Sequence, residues 1–458
     1  MKKIKIFIYF ILILLFSYMP VYAQEINPSN TSLIILFNNS NIDNNVEKFI
    51  IQSGGQVISE FQELDSIEVK CNPSLIPQIQ KYSSVDSISP NHKIKLSQEK
   101  MIQFKEIPKI KTEKYDLYNA YQWDIKKVTN NGKSFNLESG NHNVVVGIID
   151  SGVNKNHPDL KDNFLGGENF IPKGFDDDKS ETGDPNDIED RYGHGTHIAG
   201  TIAGNGRIKG IAPNIGFKSY RIFNSQGDTT AAIVASAILK ATSDGVNVIN
   251  LSIEGYDLKG KCSWTDPLTG KTYELADTMA EYSLYSRAIK YAIKQGVTVV
   301  ASAGNQSLNC SDRNKITEYL NHEYANQGFK YEGLGYEFPG GVKGVITVSS
   351  TGPEDKLASY SNYGLKFIDI AAPGGDFING TYDMCFSTYK DGYSYMLGTS
   401  AAAPKVSAVV ALIICKYGNL DPKDVAKKIY KSSKPLYDND YSEYFGYGLV
   451  NAYNALSK

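Results

Sequence analysis

Cysteine and histidine are scarce in this chain, which has five cysteines and six histidines among 458 residues. No two cysteines are spaced as C-x-x-C, so the sequence does not support a zinc site. Their odd number leaves at least one thiol without a disulfide partner in the chain. We predict one disulfide, between Cys262 and Cys310, which lie in segments that look like insertions. Cys71, Cys385 and Cys415 are predicted to be small buried side chains or free thiols.

The chain also has no excess of basic residues. The chain has 47 lysine and arginine residues against 50 aspartate and glutamate residues, giving a net charge of −3, and it has no basic run. This balance argues against nucleic acid as a partner, because phosphate binding needs concentrated positive charge. With 41% hydrophobic residues and this length, the chain can form two or three domains with a sizeable core.

The first residues have the pattern of a secretory signal. Basic residues precede an apolar stretch over residues 6–16, and V-Y-A stands directly before Gln24. We therefore predict a signal peptide over residues 1–23 and a secreted, extracellular product with no membrane attachment once the signal is removed. An N-terminal membrane anchor is the alternative. Residues 451–458 have no apolar tail that would suggest a second anchor.

Residues 24–97 are predicted to form a small α+β domain. Its β-prone and helical segments follow the order βαββαβ, which is that of the ferredoxin-like unit. Asp43 is the predicted N-cap of the first helix, which stops at Gly54. An independent adaptor domain is one interpretation of this unit. The predicted strands cover residues 31–37, 56–61, 66–71 and 85–96, and the predicted helices cover 44–53 and 73–82.

The pattern changes after residue 97. Residues 98–118 are polar and rich in lysine, which predicts a linker that is open to proteolytic processing. From about residue 143, short apolar runs alternate with helical patterns, which predicts a parallel sheet with helices on both faces. In such sheets the functional residues gather at the carboxyl ends of the strands. The predicted strands cover residues 144–149, 217–222, 246–253, 297–303 and 345–349, and the helices cover 230–244, 283–295, 399–417 and 421–432.

Three short blocks contain the residue types of acyl-transfer chemistry: IIDSG around Asp150, GHGTH around His194 and GTSAAAP around Ser400. A serine hydroxyl is a weak nucleophile at neutral pH, so it needs a base, and the base needs a carboxylate that fixes its tautomer. Ser400 opens an alanine-rich helix, whose dipole favours negative charge at its N-terminus. The chain order Asp, His, Ser is the subtilisin order.

Residues 146–160, 193–201 and 398–404, which read VGIIDSGVNKNHPDL, GHGTHIAGT and GTSAAAP, resemble the signature blocks of the subtilisin-like serine proteases, or subtilases. The resemblance covers about residues 115–458. It implies an α/β, doubly wound parallel-sheet catalytic domain, which we place at residues 119–458. It also implies that residues 24–97 are a propeptide, which assists folding and blocks the active site until it is cut. The third block has alanine after the serine where the family more often has methionine.

The same resemblance implies a role for each polar residue of these blocks. Ser400 is the expected nucleophile, His194 the base, and Asp150 the carboxylate that orients the base. Asn305, in the segment ASAGN, resembles the family's oxyanion residue and would act with the backbone N–H of Ser400. His197 lies three residues after His194, but without an H-E-x-x-H spacing or a third ligand we predict a structural helix residue. No cofactor is expected for the chemistry.

The substrate is expected to bind as an added strand. Residues 250–255 resemble one wall of the family's cleft with its S1 pocket, and residues 224–228 resemble the opposite wall. Glu254 stands where the family often has glycine, and Glu337 precedes a segment that forms the base of S1. Acids there predict Arg or Lys at P1; the alternative is that both glutamates point to solvent. The predicted substrate-binding residues are Ser252, Ile253, Glu254, Gly255, Ala303, Gly304, Glu337 and Gly227.

Residues 175–190 contain eight acidic residues and one lysine. We interpret this segment as a solvated loop. Two alternatives are a structural calcium site and recognition of basic substrate residues upstream of the cut. Residues 203–210 are short where many subtilases have a calcium loop, so that particular calcium site is not expected.

Taken together, these features predict a monomeric, secreted serine endopeptidase that is made as a zymogen and acts on polypeptides. Within the family, this Tyr-rich, compact chain with an acidic S1 resembles the leader peptidases that mature lantibiotic precursors after a basic residue. The alternatives are a broad-specificity extracellular protease and an inactive binding protein with a subtilase fold.

Overall fold

The computed structural model describes residues 30–38, 41–96, 101–103, 115–267, 269–276, 279–418, 420–437 and 441–457. The predicted signal peptide and most of the predicted linker lie outside the described residues.

The N-terminal unit is an antiparallel four-stranded sheet with two helices. The sheet has the strand order β2-β3-β1-β4. Asp43 caps the first helix, since its Oδ1 accepts a hydrogen bond of 2.8 Å from the backbone N of Asn45. The second helix is shorter than predicted because prolines are tolerated only in the first turn. The elements are β1 (Thr31–Phe37), α1 (Asn44–Gln52), β2 (Gln56–Phe61), β3 (Ser66–Cys71), α2 (Ile76–Ile79) and β4 (Val85–Pro90).

The rest of the chain contains the larger domain. Its first elements are β5 (Lys93–Lys95), β6 (Met101–Gln103), α3 (Asp116–Tyr121), α4 (Trp123–Val128), β7 (Val145–Asp150), β8 (Phe164–Asn169), α5 (His194–Ala203), β9 (Gly216–Arg221), β10 (Asp228–Thr230), α6 (Ala231–Ser243), β11 (Val248–Leu251), β12 (Gly255–Thr265) and β13 (Thr272–Ala276). They are followed by α7 (Ala280–Lys294), β14 (Thr298–Ser302), α8 (Arg313–Glu323), β15 (Phe329–Phe338), β16 (Ile346–Thr351), β17 (Ile370–Pro373), β18 (Cys385–Tyr389), β19 (Gly392–Met396), α9 (Thr399–Tyr417), α10 (Pro422–Ser432) and α11 (Ala452–Ser457).

Seven parallel strands form the central sheet, in the order β17-β16-β14-β11-β7-β9-β8. Successive side chains of a strand point to opposite faces. Accordingly, Ile148 packs with α5 and α9 on one face, whereas Ile149 packs with α6 and α7 on the other. The predicted α/β fold with helices on both faces is confirmed. The two edge strands were not predicted, because β8 contains two glycines and β17 has only four residues.

Helix α9 is the centre of one of the two helical layers. It packs against α5, α10, α11 and the middle strands β14 and β16. By length and composition it could span a membrane, but 89% of its most apolar window is buried inside the protein, as expected of a core helix.

Two three-stranded antiparallel sheets lie beside the central one. One consists of β12, β13 and β15. The other consists of β18, β19 and β6, so part of the predicted linker is a strand: Met101–Gln103 pairs with the end of β19. These sheets could not be predicted from a helix-and-strand alternation, because their strands are local additions between core elements.

The N-terminal unit is docked on the larger domain. Its sheet packs against α7. The Arg287 guanidinium on α7 donates hydrogen bonds to the backbone carbonyls of Leu64, Asp65 and Phe37, at 2.8, 3.1 and 3.1 Å. The predicted last strand of the unit is divided into β4, which stays in its sheet, and β5, which leaves to pair with β10.

The predicted disulfide between Cys262 and Cys310 is wrong. All five cysteines lie in the described ranges and all are free. Each of these two thiols is buried in an apolar cluster and donates to a nearby carbonyl, Cys262 to Ser263 at 3.8 Å and Cys310 to Leu308 at 3.9 Å. Burial raises the pKa of the Cys262 thiol to about 12, so it behaves as a small apolar side chain.

Candidate active site

Asp150 and His194 meet at the carboxyl edge of the central sheet. Asp150 ends β7, and His194 is the first residue of α5. His194 Nδ1 lies 2.7 Å from Asp150 Oδ1, and both side chains are buried. The backbone N–H of Ser151 donates to the same oxygen at 2.7 Å. The carboxylate is therefore held in place and orients the imidazole.

The close approach of α5 to β7 requires a glycine after His194. A Cβ atom on Gly195 would lie 2.2 Å from the carbonyl oxygen of Gly152 and 3.2 Å from Asp150 Cβ. Any side chain here would push the helix away from the carboxylate. This explains the glycine of the GHGTH block in terms of packing.

Ser400 lies in the first turn of α9, which packs against α5. Its hydroxyl donates to the carbonyl oxygen of Ser252 at 3.4 Å, and the Ser252 hydroxyl donates to the carbonyl oxygen of Ser400 at 3.0 Å. These two bonds join the start of α9 to the segment after β11. They bring Ser400 to the same edge of the sheet as Asp150 and His194.

Asn305 is tied to the residue that precedes Ser400. Its Oδ1 accepts hydrogen bonds from the backbone N and the hydroxyl of Thr399, at 2.8 and 2.9 Å. The amide oxygen is therefore turned toward Thr399, which fixes the orientation of the amide group. The structure thus pairs Asp150 with His194 and links Asn305 to Ser400 through Thr399, with both pairs at the carboxyl edge of the central sheet.

A small cavity adjoins Ser400. Glu254 lines it and accepts hydrogen bonds from the backbone N of Asn305, at 2.8 Å, and from the side chain of Gln306. Gly304 must be a glycine here, since its φ is +98° and a Cβ would lie 2.6 Å from Glu254 Oε2. The cavity is lined by Ile94, Lys95, Leu96, Phe223, Ser252, Ile253, Glu254, Ser302 and Ser400.

Glu337 lies behind this cavity and does not line it. Its side chain is fully buried, and its Oε2 accepts a hydrogen bond of 2.7 Å from the backbone N of Gly341. Burial raises the pKa of Glu337 well above the ordinary range, and the charge of Glu254 adds to the effect. Of the two glutamates, only Glu254 lines the cavity. The alternative that both glutamates point to solvent is wrong.

The sequence matches the Subtilase family (Peptidase_S8) over residues 141–448, which is more than half of the chain. This chain belongs to the subtilase family. Within that family, it is 30% identical over 481 residues to the epidermin leader peptide-processing serine protease EpiP of Staphylococcus epidermidis, with 100% of both chains covered. It is 34% identical over 417 residues to the nisin leader peptide-processing serine protease NisP of Lactococcus lactis subsp. lactis, which covers 87% of this chain but only 55% of that relative.

A solved structure extends the similarity to the N-terminal part. The crystal structure of EpiP from Staphylococcus aureus superimposes with a TM-score of 0.78 at 30% identity, covering 94% of this chain and 98% of that one. This subtilase is therefore a serine protease whose relatives include leader peptide-processing enzymes.

The segment predicted to form the wall of the cleft opposite Glu254 already carries an added strand in this subtilase. Strand β5 pairs antiparallel with β10, and the backbone N of Leu96 donates to the carbonyl oxygen of Gly227 at 2.7 Å. Ile94 and Leu96 are buried in an apolar cluster with Ile253 and Phe223. A segment of the N-terminal unit thus lies beside the cavity at Ser400 as a strand added to β10.

His197 is a structural residue. It is fully buried, and its Nε2 lies 3.3 Å from the carbonyl oxygen of Cys385. Burial, together with the positive charge of Lys405, lowers the pKa of His197 to about 3, so the imidazole is neutral. Within the described ranges, the His, Cys, Asp and Glu side chains form no group of three that could hold a metal ion.

The interpretation of residues 175–190 as a solvated loop is wrong for several of its acids. Glu181 and Asp187 bind the guanidinium groups of Arg191 and Arg221, and Glu181 is buried. Asp178 accepts hydrogen bonds from Ser180 and Ser225, which lower its pKa to about 2. The segment is therefore folded onto the domain beside the cleft.

Asp190 is a site residue that sequence reasoning missed, because it was counted with this acidic segment. It is buried and accepts hydrogen bonds from the Ser151 hydroxyl at 2.8 Å, from the Gly193 N at 2.6 Å, and from the N and hydroxyl of Thr196 at 2.8 and 2.6 Å. One carboxylate thus ties the end of β7 to the start of α5. Its place three residues before the first glycine of the GHGTH block was the available signal.

A second missed residue is Lys405, one turn after Ser400. Its ammonium is fully buried, lies 2.8 Å from Asp124 Oδ2, and donates to the carbonyl oxygen of Ala401 at 2.9 Å. The pair connects α9, the helix that contains Ser400, to α4.

Proposed function

We propose that this subtilase is a secreted serine endopeptidase made as a zymogen, with Ser400, His194 and Asp150 as its catalytic triad. The observation that carries the proposal is the buried 2.7 Å contact between His194 Nδ1 and Asp150 Oδ1. With Nδ1 bonded to the carboxylate, the other ring nitrogen is the one that faces reactants. The chain acts as a monomer on polypeptides, without a cofactor for the chemistry.

In this mechanism the Ser400 hydroxyl attacks the scissile carbonyl while His194 Nε2 takes its proton. Asp150 stabilises the imidazolium that forms. Negative charge then develops on the carbonyl oxygen, where the Asn305 side-chain N–H and the Ser400 backbone N–H would donate to it. His194 gives its proton to the leaving amine, and a water molecule, activated by the same base, hydrolyses the acyl-enzyme.

The N-terminal unit, residues 24–97, is proposed to be the inhibitory propeptide. Support comes from β5, which pairs with β10 where a substrate would bind, and from Leu96, which lines the cavity next to Ser400. The chain therefore approaches the nucleophile from the side of the acyl group. Cleavage in the linker that follows would release the unit, and Ser400→Ala is expected to accumulate an uncut precursor if processing is autocatalytic.

The proposed P1 preference is for arginine or lysine. Glu254 lines the cavity, where its carboxylate accepts hydrogen bonds from the Asn305 N–H and the Gln306 amide. A cationic P1 side chain in this cavity would be attracted to the Glu254 carboxylate, whereas an apolar one would gain nothing from it.

The proposed substrate is a leader peptide attached to a modified precursor, cut after a basic residue. Support comes from the similarity to EpiP and NisP, whose names describe leader-peptide processing, and from the acidic cavity. The second candidate, a broad-specificity extracellular protease, is favoured by the similarity to subtilisins, such as Subtilisin DY of Bacillus licheniformis at 30% identity.

Hydrolysis of matched peptides with Arg, Leu or Phe at P1 separates these functions. We expect cleavage after Arg, none with Ser400→Ala, and full activity with Ser359→Ala, an exposed serine outside the cavity. A preference for Leu or Phe would support the broad-specificity protease. No cleavage of any peptide would contradict the endopeptidase function.

A further inference from the structure

The docked N-terminal segment places a lysine against an acid at the rim of the cleft. Lys93 Nζ lies 2.9 Å from Asp176 Oδ2, with the two side chains 47% and 33% exposed. In the β5–β10 pairing, Lys93 is opposite Thr230. Since β10 is the strand to which a substrate is proposed to add, Lys93 occupies a position that a substrate residue would take.

Side chains of the docked segment alternate between two environments. Ile94 and Leu96 are buried in the apolar cluster that contains Ile253, whereas Lys93 and Lys95 are exposed. Alternate residues of a strand point to opposite faces. The cleft therefore offers one apolar face and one acidic face to the same peptide.

Asp228 forms the base of the acidic face. It is opposite Lys95 in the strand pairing, and it is only 2% exposed. Burial raises the pKa of Asp228, whereas the positive charges of Lys93 and Lys95 oppose the rise. Basic residues on the added strand thus favour the ionised form of this buried carboxylate.

Asp176 forms the outer part of the acidic face. Its loop is fastened to the loop before β10 by the Ser225 hydroxyl, which donates to Asp178 Oδ2 at 2.6 Å. Neighbouring acids Glu181 and Asp187 are compensated by arginines of the same domain. The cation that pairs with Asp176 comes instead from the N-terminal unit, so departure of that unit leaves the carboxylate available to a substrate.

We propose that Asp176, with Asp228 beneath it, forms an upstream subsite that selects lysine or arginine at the substrate residue paired with Thr230. The next residue, paired with Thr229, is apolar, as Ile94 is. The subsite rests on the proposed endopeptidase function. It lies upstream of the cut because the docked segment runs from Lys93 toward Leu96 and the cavity at Ser400.

The test uses mature enzyme released from the full chain. All peptides have the same arginine at the cleavage site. Each carries Lys, Gln or Glu at one upstream position, and separate peptide sets place that residue at successive upstream positions. At one position we expect kcat/KM to be about fivefold higher for Lys than for Gln, and lower still for Glu, as for an exposed ion pair. The preference should shrink at about 1 M salt, because salt screens exposed charges.

Variants of Asp176 test whether this residue causes the preference for lysine. Asp176→Asn should remove the discrimination between Lys and Gln, and Asp176→Lys should favour Glu. The matched control is Asp162→Asn. This exposed aspartate precedes β8, at the amino end of the strand and away from the carboxyl edge of the sheet, so the variant should keep the wild-type preference.

Three results would overturn the proposal in distinguishable ways. Equal cleavage of the Lys, Gln and Glu peptides at every position would contradict the subsite while leaving the endopeptidase function intact. An unchanged Lys preference in Asp176→Asn would contradict the role of Asp176. Failure of the wild type to cleave any peptide would contradict the proposed function itself.

Discussion

His92 Nδ1 lies 2.7 Å from Glu281 Oε2, and this buried pair joins the end of the N-terminal unit to helix α7. The backbone N of His92 donates to the other oxygen of Glu281, also at 2.7 Å, and His92 Nε2 lies 2.9 Å from the hydroxyl of Tyr331. Docking of the unit therefore involves a buried titratable histidine.

Docking of the N-terminal unit is expected to weaken as the pH rises. Burial lowers the pKa of His92, but the charge of Glu281 outweighs it, so the pKa is raised above 6.5. A raised histidine pKa contributes stability that is fully present below the undocked value and is lost as the pH rises through the docked value. Asp257, whose pKa burial raises to about 8, acts in the same direction.

Thermal unfolding of the full chain carrying Ser400→Ala, between about pH 5 and 9, measures this dependence. The added substitution His92→Gln should flatten the profile, whereas His322→Gln, at an exposed histidine of α8, should not. A profile unaffected by His92→Gln would contradict the assignment.

The buried pair of Lys405 and Asp124 is expected to matter for folding. Lys405→Met leaves the Asp124 carboxylate buried without its cation, which costs about 3–5 kcal/mol of unfolding free energy. Urea unfolding measures the loss, and Lys405→Met combined with Asp124→Leu should recover much of it. Lys427→Met removes an exposed pair on α10 and should leave the midpoint unchanged. A single Lys405→Met variant as stable as the wild type would refute this account.

Glu254 is expected to determine the P1 preference. Glu254→Gln keeps the size of the side chain but removes its charge. The ratio of kcat/KM for the peptide with Arg at P1 to that for the peptide with Leu should therefore fall about tenfold. Steady-state hydrolysis of the two matched peptides gives the ratio. Glu332→Gln changes an exposed glutamate on β15 and serves as the control. An unchanged ratio in Glu254→Gln would show that another group sets the preference.

Asp190 is expected to act as a positioning residue. Asp190→Asn replaces an acceptor of four hydrogen bonds by an amide that presents donors to the same N–H groups, so the start of α5 should shift. Misplacement of His194 by about 1 Å would lower kcat about 100-fold with little change in KM. Asp184→Asn, at an exposed acid of the same segment, should have normal kcat. Equal losses in kcat for both variants would contradict the positioning role.

The central sheet and its polar edge were predictable because parallel strands bring their carboxyl ends together, so Asp150 and Asn305 had to lie at one edge. The contacts of Lys405 with Asp124 and of Asp190 with Ser151 could not be predicted from the sequence, since each joins segments whose proximity depends on tertiary packing. The disulfide prediction between Cys262 and Cys310 failed for the same reason: spacing in the sequence does not reveal which thiols face each other.

The departure of β5 from its sheet was also beyond sequence reasoning. Residues 85–96 read as one continuous strand, and only the pairing of Lys93–Lys95 with β10 shows that the strand breaks after Pro90. Pro90 explains the break, since a proline lacks the N–H needed to continue a ladder, but it does not reveal that the chain next pairs with β10.

Labelling with a serine-reactive fluorophosphonate, followed by peptide mass spectrometry, tests the central claim most directly. Mature enzyme released from the full chain should carry one phosphonyl group on Ser400, with or without a metal chelator, and His194→Ala should slow the labelling severely because the hydroxyl loses its base. Labelling of a different serine, or an unchanged rate in His194→Ala, would contradict the assignment of Ser400 as the nucleophile activated by His194 and Asp150.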